Sequence, residues 1–294
     1  REWGPEDGRP VLALHGWLDN SASFDRLAPM LPELRLVAVD LTGHGRSQHR
    51  PAAQSHYFVD WVPEVAAVAD ALGWERFSLI GHSMGAGISS LVPAVYPDRV
   101  QAAVLIEGAG PFAADAETAP AQMISALADE ARLDGSSPRV FPNLETAVIA
   151  RMRDTDLDRE SATVLVERGT EEIEGGVCFT HDPRLRTRSR LRVTENQTLA
   201  FLCSIGCPVL AIRALQGWPF PEEVFKRRMA AIPGLQLVEV EGGHHVHLSH
   251  PERVAPAIKE FFADSSVAGF PITVQKGLWL VAWGLTPLSR RGVD

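Results

Sequence analysis

Short apolar runs that alternate with helical patterns constrain the fold of this chain more than any other feature. Most of these runs are continuously apolar, which is typical of parallel strands covered by helices on both faces. The sequence therefore predicts an α/β fold with a mostly parallel central sheet flanked by helices. The six runs with strand character are residues 11–14, 34–39, 77–80, 102–106, 209–213 and 236–240.

The intervening segments carry the spacing of helices. Patterns at residues 24–31, 59–72, 84–95, 221–231 and 251–262 predict helices. Gly73 closes the second of them and Pro97 follows the third, and both are common stop signals.

Residues 111–205 lack any strand signal, and this stretch is too long for an ordinary crossover connection. Amphipathic patterns occur within it at residues 121–132, 144–153 and 159–168. We therefore expect one domain with an insertion, in which residues 1–110 and 206–264 form the core and residues 111–205 form a mainly helical cap. Residues 265–294 are rich in Gly, Ser, Pro and Trp without clean periodicity, and we expect an irregular tail there.

Composition limits the classes of partner. The 294 residues are 45% apolar and 22% charged, with a formal net charge of −9. This acidic balance argues against nucleic acid, because such a partner favours a basic surface. The apolar stretch at residues 277–285 is far shorter than the roughly 20 residues that a membrane-spanning helix needs. We expect a small-molecule substrate, no nucleic acid partner and no membrane span, whereas the oligomeric state is left open.

The cysteines help to predict the redox compartment in which the protein occurs. Cys178, Cys203 and Cys207 cannot all pair within one chain, and their spacing matches no zinc pattern. We expect reduced, buried thiols in a cytoplasmic protein. No charged-then-apolar leader precedes Arg1, although a removed leader would leave no trace in this sequence.

Gly81-His82-Ser83-Met84-Gly85 fits the pattern Gly-x-Ser-x-Gly. The pentapeptide alone is a weak signal, but it follows a predicted strand and opens a small-residue helix, as a nucleophile elbow requires. Such a turn strains the backbone of the serine and leaves no room for side chains at positions 81 and 85. Ser83 is therefore the candidate nucleophile, and the alternative is a structural serine in a tight turn.

A serine hydroxyl needs a base that accepts its proton. His244 follows two glycines and lies between the last predicted strand and the last predicted helix, so it is the candidate base. We expect His245 and His247 to line the loop or the pocket. We expect no metal, because a site formed by His244 and His247 lacks a third ligand.

His15-Gly16-Trp17 directly follows the first predicted strand. An oxyanion hole needs two preorganised N–H donors, and the backbone amides of Trp17 and Met84 are the candidates. The side chain of Trp17 would then form a wall of the acyl pocket. The alternative is that His15 and Gly16 only shape a turn.

With these motifs in this order, the chain resembles the α/β-hydrolase fold superfamily over roughly residues 10–262. His15-Gly16-Trp17-Leu18-Asp19-Asn20 with Ser23-Phe24-Asp25 resembles, more narrowly, the serine-hydrolase-like subgroup. In this family the glycine-rich stretch at residues 40–47 is structural, and no cofactor or metal is required. The resemblance also implies two strands before residue 11, where only ten residues are present, so we expect a truncated N-terminus.

The chain departs from the family pattern at the acid that orients the histidine. This acid commonly follows the strand after the cap, but residues 213–218 contain no carboxylate. We place Glu107 first, because it ends a predicted strand at a location used by some haloalkane dehalogenases and lipases that resemble this fold. Glu222 and Glu223 are the other candidates, at a helix start where acidic residues are favoured in any case. A chain without a functional acid is the remaining alternative.

The predicted reaction is acyl transfer through Ser83, His244 and Glu107. We expect a carboxylesterase (EC 3.1.1 type) that acts on small to medium carboxylic esters. The alternatives are a cofactor-free hydrolase of a lactone, an amide or a C–C bond, and a non-enzymatic binding protein that has kept the fold. Relatives that are dehalogenases or epoxide hydrolases are disfavoured, because they carry aspartate where this chain has Ser83.

Alternate positions of the predicted cap carry arginine. We expect a solvated face to carry these side chains, which are Arg184, Arg186, Arg188 and Arg190. The alternative is that they neutralise an acidic substrate.

Overall fold

The computed structural model describes residues 1–133, 138–153 and 155–264, in which nine strands form two sheets. The central sheet has seven strands in the order β1-β3-β2-β4-β5-β8-β9, and β6 and β7 form a separate hairpin. The strands are β1 (Glu2–Trp3), β2 (Arg9–Leu14), β3 (Leu34–Val39), β4 (Phe77–His82), β5 (Val100–Ile106), β6 (Thr170–Ile173), β7 (Gly176–Phe179), β8 (Val209–Gln216) and β9 (Gln236–Gly243).

All six predicted strands are present, and five adjacent strand pairs of the central sheet are parallel. The predicted α/β class with a mostly parallel sheet is therefore confirmed. β1 is the exception, because it pairs antiparallel with β3. The family resemblance implies two strands before residue 11, and the structure contains β1 there, a strand of two residues.

The helices are α1 (Trp61–Ala71), α2 (Met84–Val95), α3 (Ala119–Leu133), α4 (Leu144–Arg153), α5 (Arg159–Gly169), α6 (Glu195–Cys203), α7 (Glu222–Ala231), α8 (Val246–Ser249) and α9 (Pro251–Ala263). The predicted helix at residues 24–31 is wrong, because two short 3₁₀ turns, Ser21–Phe24 and Ala28–Met30, occupy this region. Pro29 explains the difference, since it has no N–H to continue an α-helical hydrogen-bond pattern.

The two faces of the sheet pack against different layers. Leu12 and Leu79 contribute to one apolar cluster, whereas their neighbours Val11 and Ile80 contribute to the other. Successive residues of a strand point to opposite faces, so a strand that is covered on both sides is apolar throughout. This arrangement explains the continuous apolar runs in the sequence.

The chain between β5 and β8, residues 107–208, is called the connecting segment here. Its described residues form α3 to α6 and the β6–β7 hairpin, and they add no strand to the central sheet. Phe141, Val148 and Leu165 of this segment form a small apolar cluster with Leu248 of α8. This cluster packs the connecting segment against the loop that follows β9.

The cysteines are free, and Cys178 and Cys207 are buried. The expectation of burial is wrong for Cys203, which ends α6 and is exposed. Within the described residues, no helix is long and apolar enough to cross a membrane. The expected tail at residues 265–294 lies outside the described residues.

Candidate active site

Ser83 lies in a tight turn between β4 and α2. Its φ of 52° is in the left-handed region that side chains disfavour. A Cβ at Gly81 would lie 2.3 Å from the carbonyl oxygen of Gly85, and one at Gly85 would lie 2.0 Å from that of Leu14. Both positions therefore require glycine, and the turn presents the serine hydroxyl to a cavity at the end of the sheet.

Backbone strain is concentrated at this cavity. Leu18, Ser83 and Glu107 are the non-glycine residues with positive φ in the described chain, at 60°, 52° and 58°. All three line the same cavity. Strained conformations persist only where the surrounding structure enforces them, and they cluster at functional sites.

His244 follows β9 and brings an imidazole between Ser83 and Glu107. Its Nε2 lies 2.9 Å from Oγ of Ser83, and its Nδ1 lies 3.1 Å from Oε2 of Glu107. Because a carboxylate faces Nδ1, that nitrogen carries the proton and Nε2 presents its lone pair to the hydroxyl. The structure therefore brings these three sequence-predicted residues into one hydrogen-bonded line.

The carboxylate of Glu107 is held by the end of β8 and by the loop that follows it. Its Oε1 accepts a hydrogen bond from the N–H of Ala214 at 2.6 Å, and its Oε2 accepts one from Trp218 at 3.0 Å. Gly217 lets this loop approach, since a Cβ there would lie 2.1 Å from Oε2. Thus the segment where the family commonly carries its acid provides backbone donors here, and the carboxylate that faces His244 belongs to the residue after β5.

The other two candidate acids point elsewhere. Oε2 of Glu222 lies 2.7 Å from a guanidinium nitrogen of Arg213, and the side chain of Glu223 is 91% exposed near Lys226. Neither glutamate contacts His244.

The candidate oxyanion donors lie beside Ser83. Met84 is the first residue of α2, so its N–H has no acceptor within the helix. Trp17 lines the cavity together with Ser83 and Met84. The indole Nε1–H of Trp17 donates to the carbonyl oxygen of Leu185 at 2.9 Å, which ties this loop to the connecting segment.

The cavity has a volume of about 700 Å³, within the ~300–1,000 Å³ usual for small-molecule sites. Both the core and the connecting segment line it. Its apolar side chains include Phe58, Trp61, Leu105, Phe112, Phe220 and Met229.

A chain of charged side chains runs behind His244, and its two central members, Asp19 and His245, are buried. Arg151 binds one oxygen of Asp19, and the other oxygen lies 3.5 Å from Nε2 of His245. On its other side, Nδ1–H of His245 donates to Asp156 at 2.7 Å. Burial opposes a charge on His245, but the carboxylates of Asp19 and Asp156 raise the pKa of this histidine to about 9. His245 is therefore an imidazolium between two carboxylates.

His82 fixes the backbone of the candidate base. Its Nε2–H donates to the carbonyl oxygen of His244 at 2.8 Å. Burial lowers the pKa of His82 to about 4, so the ring is neutral near pH 7. His245 lines the cavity as expected, but the same expectation is wrong for His247. That residue lies in α8, which turns it into the core beside Ser23 and the ring of His82.

Asp19, His82 and His245 are the described residues whose spacing could suit a metal ion, because their ligand atoms lie within 4.8 Å of one another. Arg151 and the protonated His245 already neutralise Asp19, so the chemistry of this donor set favours internal pairing. Sequence reasoning missed this cluster as a unit. The two histidines next to Ser83 and His244 were the only signal, and Asp156 gave none.

A family model described as "alpha/beta hydrolase fold" matches residues 9–251. A serine hydrolase-like protein of Danio rerio is 35% identical over 275 residues, which cover 90% of this chain and 84% of that protein. A solved structure of a hypothetical protein from Pseudomonas aeruginosa PAO1 is 42% identical with a TM-score of 0.83, covering 89% of this chain and 93% of the other. A thioesterase domain from the curacin biosynthetic pathway is 27% identical with a TM-score of 0.76, covering 87% and 93%.

Proposed function

Because the chain belongs to the α/β hydrolase fold family and to its serine-hydrolase-like subgroup, we propose that it hydrolyses small to medium carboxylic esters by acyl transfer. The observation that carries this proposal is the hydrogen-bonded line from Ser83 through His244 to Glu107, with distances of 2.9 and 3.1 Å. This arrangement suits a serine that is activated by an imidazole base.

In the proposed mechanism, Oγ of Ser83 attacks the ester carbonyl carbon while Nε2 of His244 takes the hydroxyl proton. Glu107 stabilises the resulting imidazolium and keeps its orientation. The imidazolium then gives its proton to the leaving alcohol, which departs and leaves an acyl-serine. A water molecule repeats the two proton transfers, so the acid is released and Ser83 is restored.

The tetrahedral intermediates carry a negative oxygen. The amides of Trp17 and Met84 are proposed to bind this oxygen, with the positive end of the α2 dipole adding to the field. Removal of one such donor commonly costs about 10²–10³ in kcat.

We propose that residues 111–205 act as a cap over a core of residues 1–110 and 206–264. The bond from Trp17 to Leu185 and the ion pair between Asp19 and Arg151 support this role, because both join the connecting segment to loops beside Ser83. Such a cap would form the far wall of the acyl cavity and limit access of water.

Labelling by a fluorophosphonate probe tests activation of the serine without knowledge of the substrate. We expect covalent labelling of the wild type and none of Ser83→Ala. A panel of 4-nitrophenyl esters of increasing acyl length then tests ester hydrolysis. Absent labelling together with absent turnover would favour the non-enzymatic binding protein, and turnover that survives Ser83→Ala would exclude the proposed nucleophile.

A further inference from the structure

The cavity above Ser83 is lined by many positively charged side chains. The protein is acidic overall, with a formal net charge of −9, yet eight arginines of the described residues line this cavity. They are Arg151, Arg184, Arg186, Arg188, Arg190, Arg192, Arg213 and Arg228.

Six of these arginines are neutralised by carboxylates of the chain itself. The pairs are Arg151 with Asp19, Arg184 with Asp182, Arg188 with Asp129, Arg190 with Glu130, Arg213 with Glu222, and Arg228 with Glu195. Of the arginines in the alternating series, Arg184 and Arg190 are only partly exposed, so the expected solvated face is wrong for them, whereas Arg188 is 54% exposed as expected although it is paired.

Arg186 and Arg192 differ from the other six. Within residues 1–133, 138–153 and 155–264, no carboxylate lies within salt-bridge distance of either guanidinium, and both side chains are exposed at the cavity. Among the described residues that line it, the cavity offers no unpaired carboxylate in return. Of its four acids, Asp19 and Glu130 bind arginines, Glu107 binds His244 and Asp156 binds His245.

Arg186 and Arg192, which have no carboxylate partner among the described residues, line the same cavity as Ser83. Arg186 directly follows Leu185, whose carbonyl accepts the indole hydrogen bond of Trp17, so its backbone lies near the side chain of Trp17. Arg192 precedes Val193, whose carbonyl accepts the N–H of Ala114 at 3.0 Å. This contact places Arg192 near the rim formed by Pro111 and Phe112.

We infer that the substrates are carboxylic esters or thioesters that carry an anionic group, which Arg186 binds with support from Arg192. This inference rests on the proposed function and names the substrate class for the same site. A guanidinium can bind a carboxylate or a phosphate through two parallel N–H donors, and it is charged at every relevant pH. The apolar side chains of the cavity would contact the uncharged part of the same substrate.

The first test compares two substrates that differ in charge and by one methyl group. 4-Nitrophenyl hydrogen adipate carries a free carboxylate, and its methyl ester is neutral. We expect wild-type kcat/KM to favour the charged substrate at low ionic strength. We expect Arg186→Gln to reduce this charged-to-neutral ratio at least tenfold, mainly through KM, and Arg192→Gln to reduce it less.

A matched control removes the same charge elsewhere. Lys259 is exposed on α9 and does not line the cavity, so Lys259→Gln should leave the ratio unchanged. An equal loss in Lys259→Gln would assign the preference to overall charge. Added salt should weaken the wild-type preference, because exposed charges are screened.

A second pair of substrates identifies the end of the ester that carries the anion. Acyl-phosphopantetheine and acyl-pantetheine share an acyl group and a thiol leaving group, and differ by one phosphate. A preference for the phosphate form that depends on Arg186 would place the anion on the leaving group. A preference confined to the adipate pair would place it on the acyl group.

The outcomes separate this inference from the proposed function. Hydrolysis of neutral esters with no charge preference and no effect of Arg186→Gln would overturn the inference alone. If no ester is hydrolysed, calorimetric titration of Ser83→Ala with the adipate monoester still measures anion binding. Equal affinity for the charged and neutral esters in that titration would also overturn the inference.

Discussion

Oε2 of Glu107 lies 3.1 Å from Nδ1 of His244, although 137 positions separate the two residues. The parallel sheet explains this contact, because β5 and β9 both end at the same edge, with β8 between them. Ala214 in β8 and Trp218 in the loop after it then hold the carboxylate through their backbone amides. The candidate acid thus follows β5, and its carboxylate reaches Nδ1 of the candidate base.

Glu107→Gln tests this contact. The amide keeps the shape of the side chain but cannot stabilise an imidazolium, and it can favour the wrong tautomer of His244. We expect kcat to fall at least tenfold, with ~10⁴ as the extreme for a wrong tautomer. Glu222→Gln is the matched control and should have no such effect. The reverse pattern would reassign the acid.

Gly217→Ala tests the support of the acid without changing any polar group. A Cβ at this position would lie 2.1 Å from Oε2 of Glu107, so the carboxylate or the loop must shift. We expect a loss of at least tenfold in kcat. Gly206→Ala is the control, because no atom lies within 4 Å of its added Cβ. Equal kinetics for both variants would contradict the steric argument.

Ser83 is both the candidate nucleophile and a residue with a strained backbone. A substitution that removes the strain should therefore raise stability and abolish activity. The left-handed φ of Ser83 costs on the order of 1–3 kcal/mol in a non-glycine residue. Ser83→Gly should therefore abolish ester hydrolysis and raise the melting temperature. Ser83→Ala should abolish hydrolysis without this gain, since alanine keeps the strain. Thermal unfolding of the three proteins checks the ranking, and equal melting temperatures for both variants would refute the strain.

The charge on His245 predicts a dependence of stability on pH. Its folded pKa is about 9, above the ordinary value of 6.5, so the folded state binds its proton more tightly than the unfolded state. The stabilisation is complete below pH 6.5 and is lost as the pH rises through 9. Urea unfolding of wild type and His245→Gln at pH 6.5 and 9.5 measures this loss.

We expect the wild type to lose more unfolding free energy over this pH range than His245→Gln. Asp19 and Asp156 remain ionised throughout, so they do not contribute to the difference. Parallel pH profiles for the two proteins would show that His245 is not charged in the fold.

The central fold could be predicted because its signals are local. A buried parallel strand is apolar along its whole length, and the glycines of the Ser83 turn have steric causes within five residues. Glu107 could be predicted for a similar reason, because the residue that follows a parallel strand lies at the edge of the sheet that carries the candidate site.

Other features depend on contacts that the sequence does not display. The β6–β7 hairpin was missed because Glu171 and Glu172 interrupt any apolar pattern, although Gly175 and Gly176 are a turn signal. The ion pairs behind His244 join residues far apart, since Arg151 and Asp19 are separated by 132 positions and His245 and Asp156 by 89. Such pairs are indistinguishable from surface charges until the chain folds.

The contacts of the connecting segment constrain how a substrate can enter. Trp17 is bonded to Leu185, and Asp156 is bonded to the ring of His245, next to His244. A swing of this segment away from the core as a rigid lid would break both bonds and release the loops on two sides of Ser83. We therefore expect a substrate to enter through a permanent opening at the edge of the cavity. The candidate site would then be preorganised before the substrate binds.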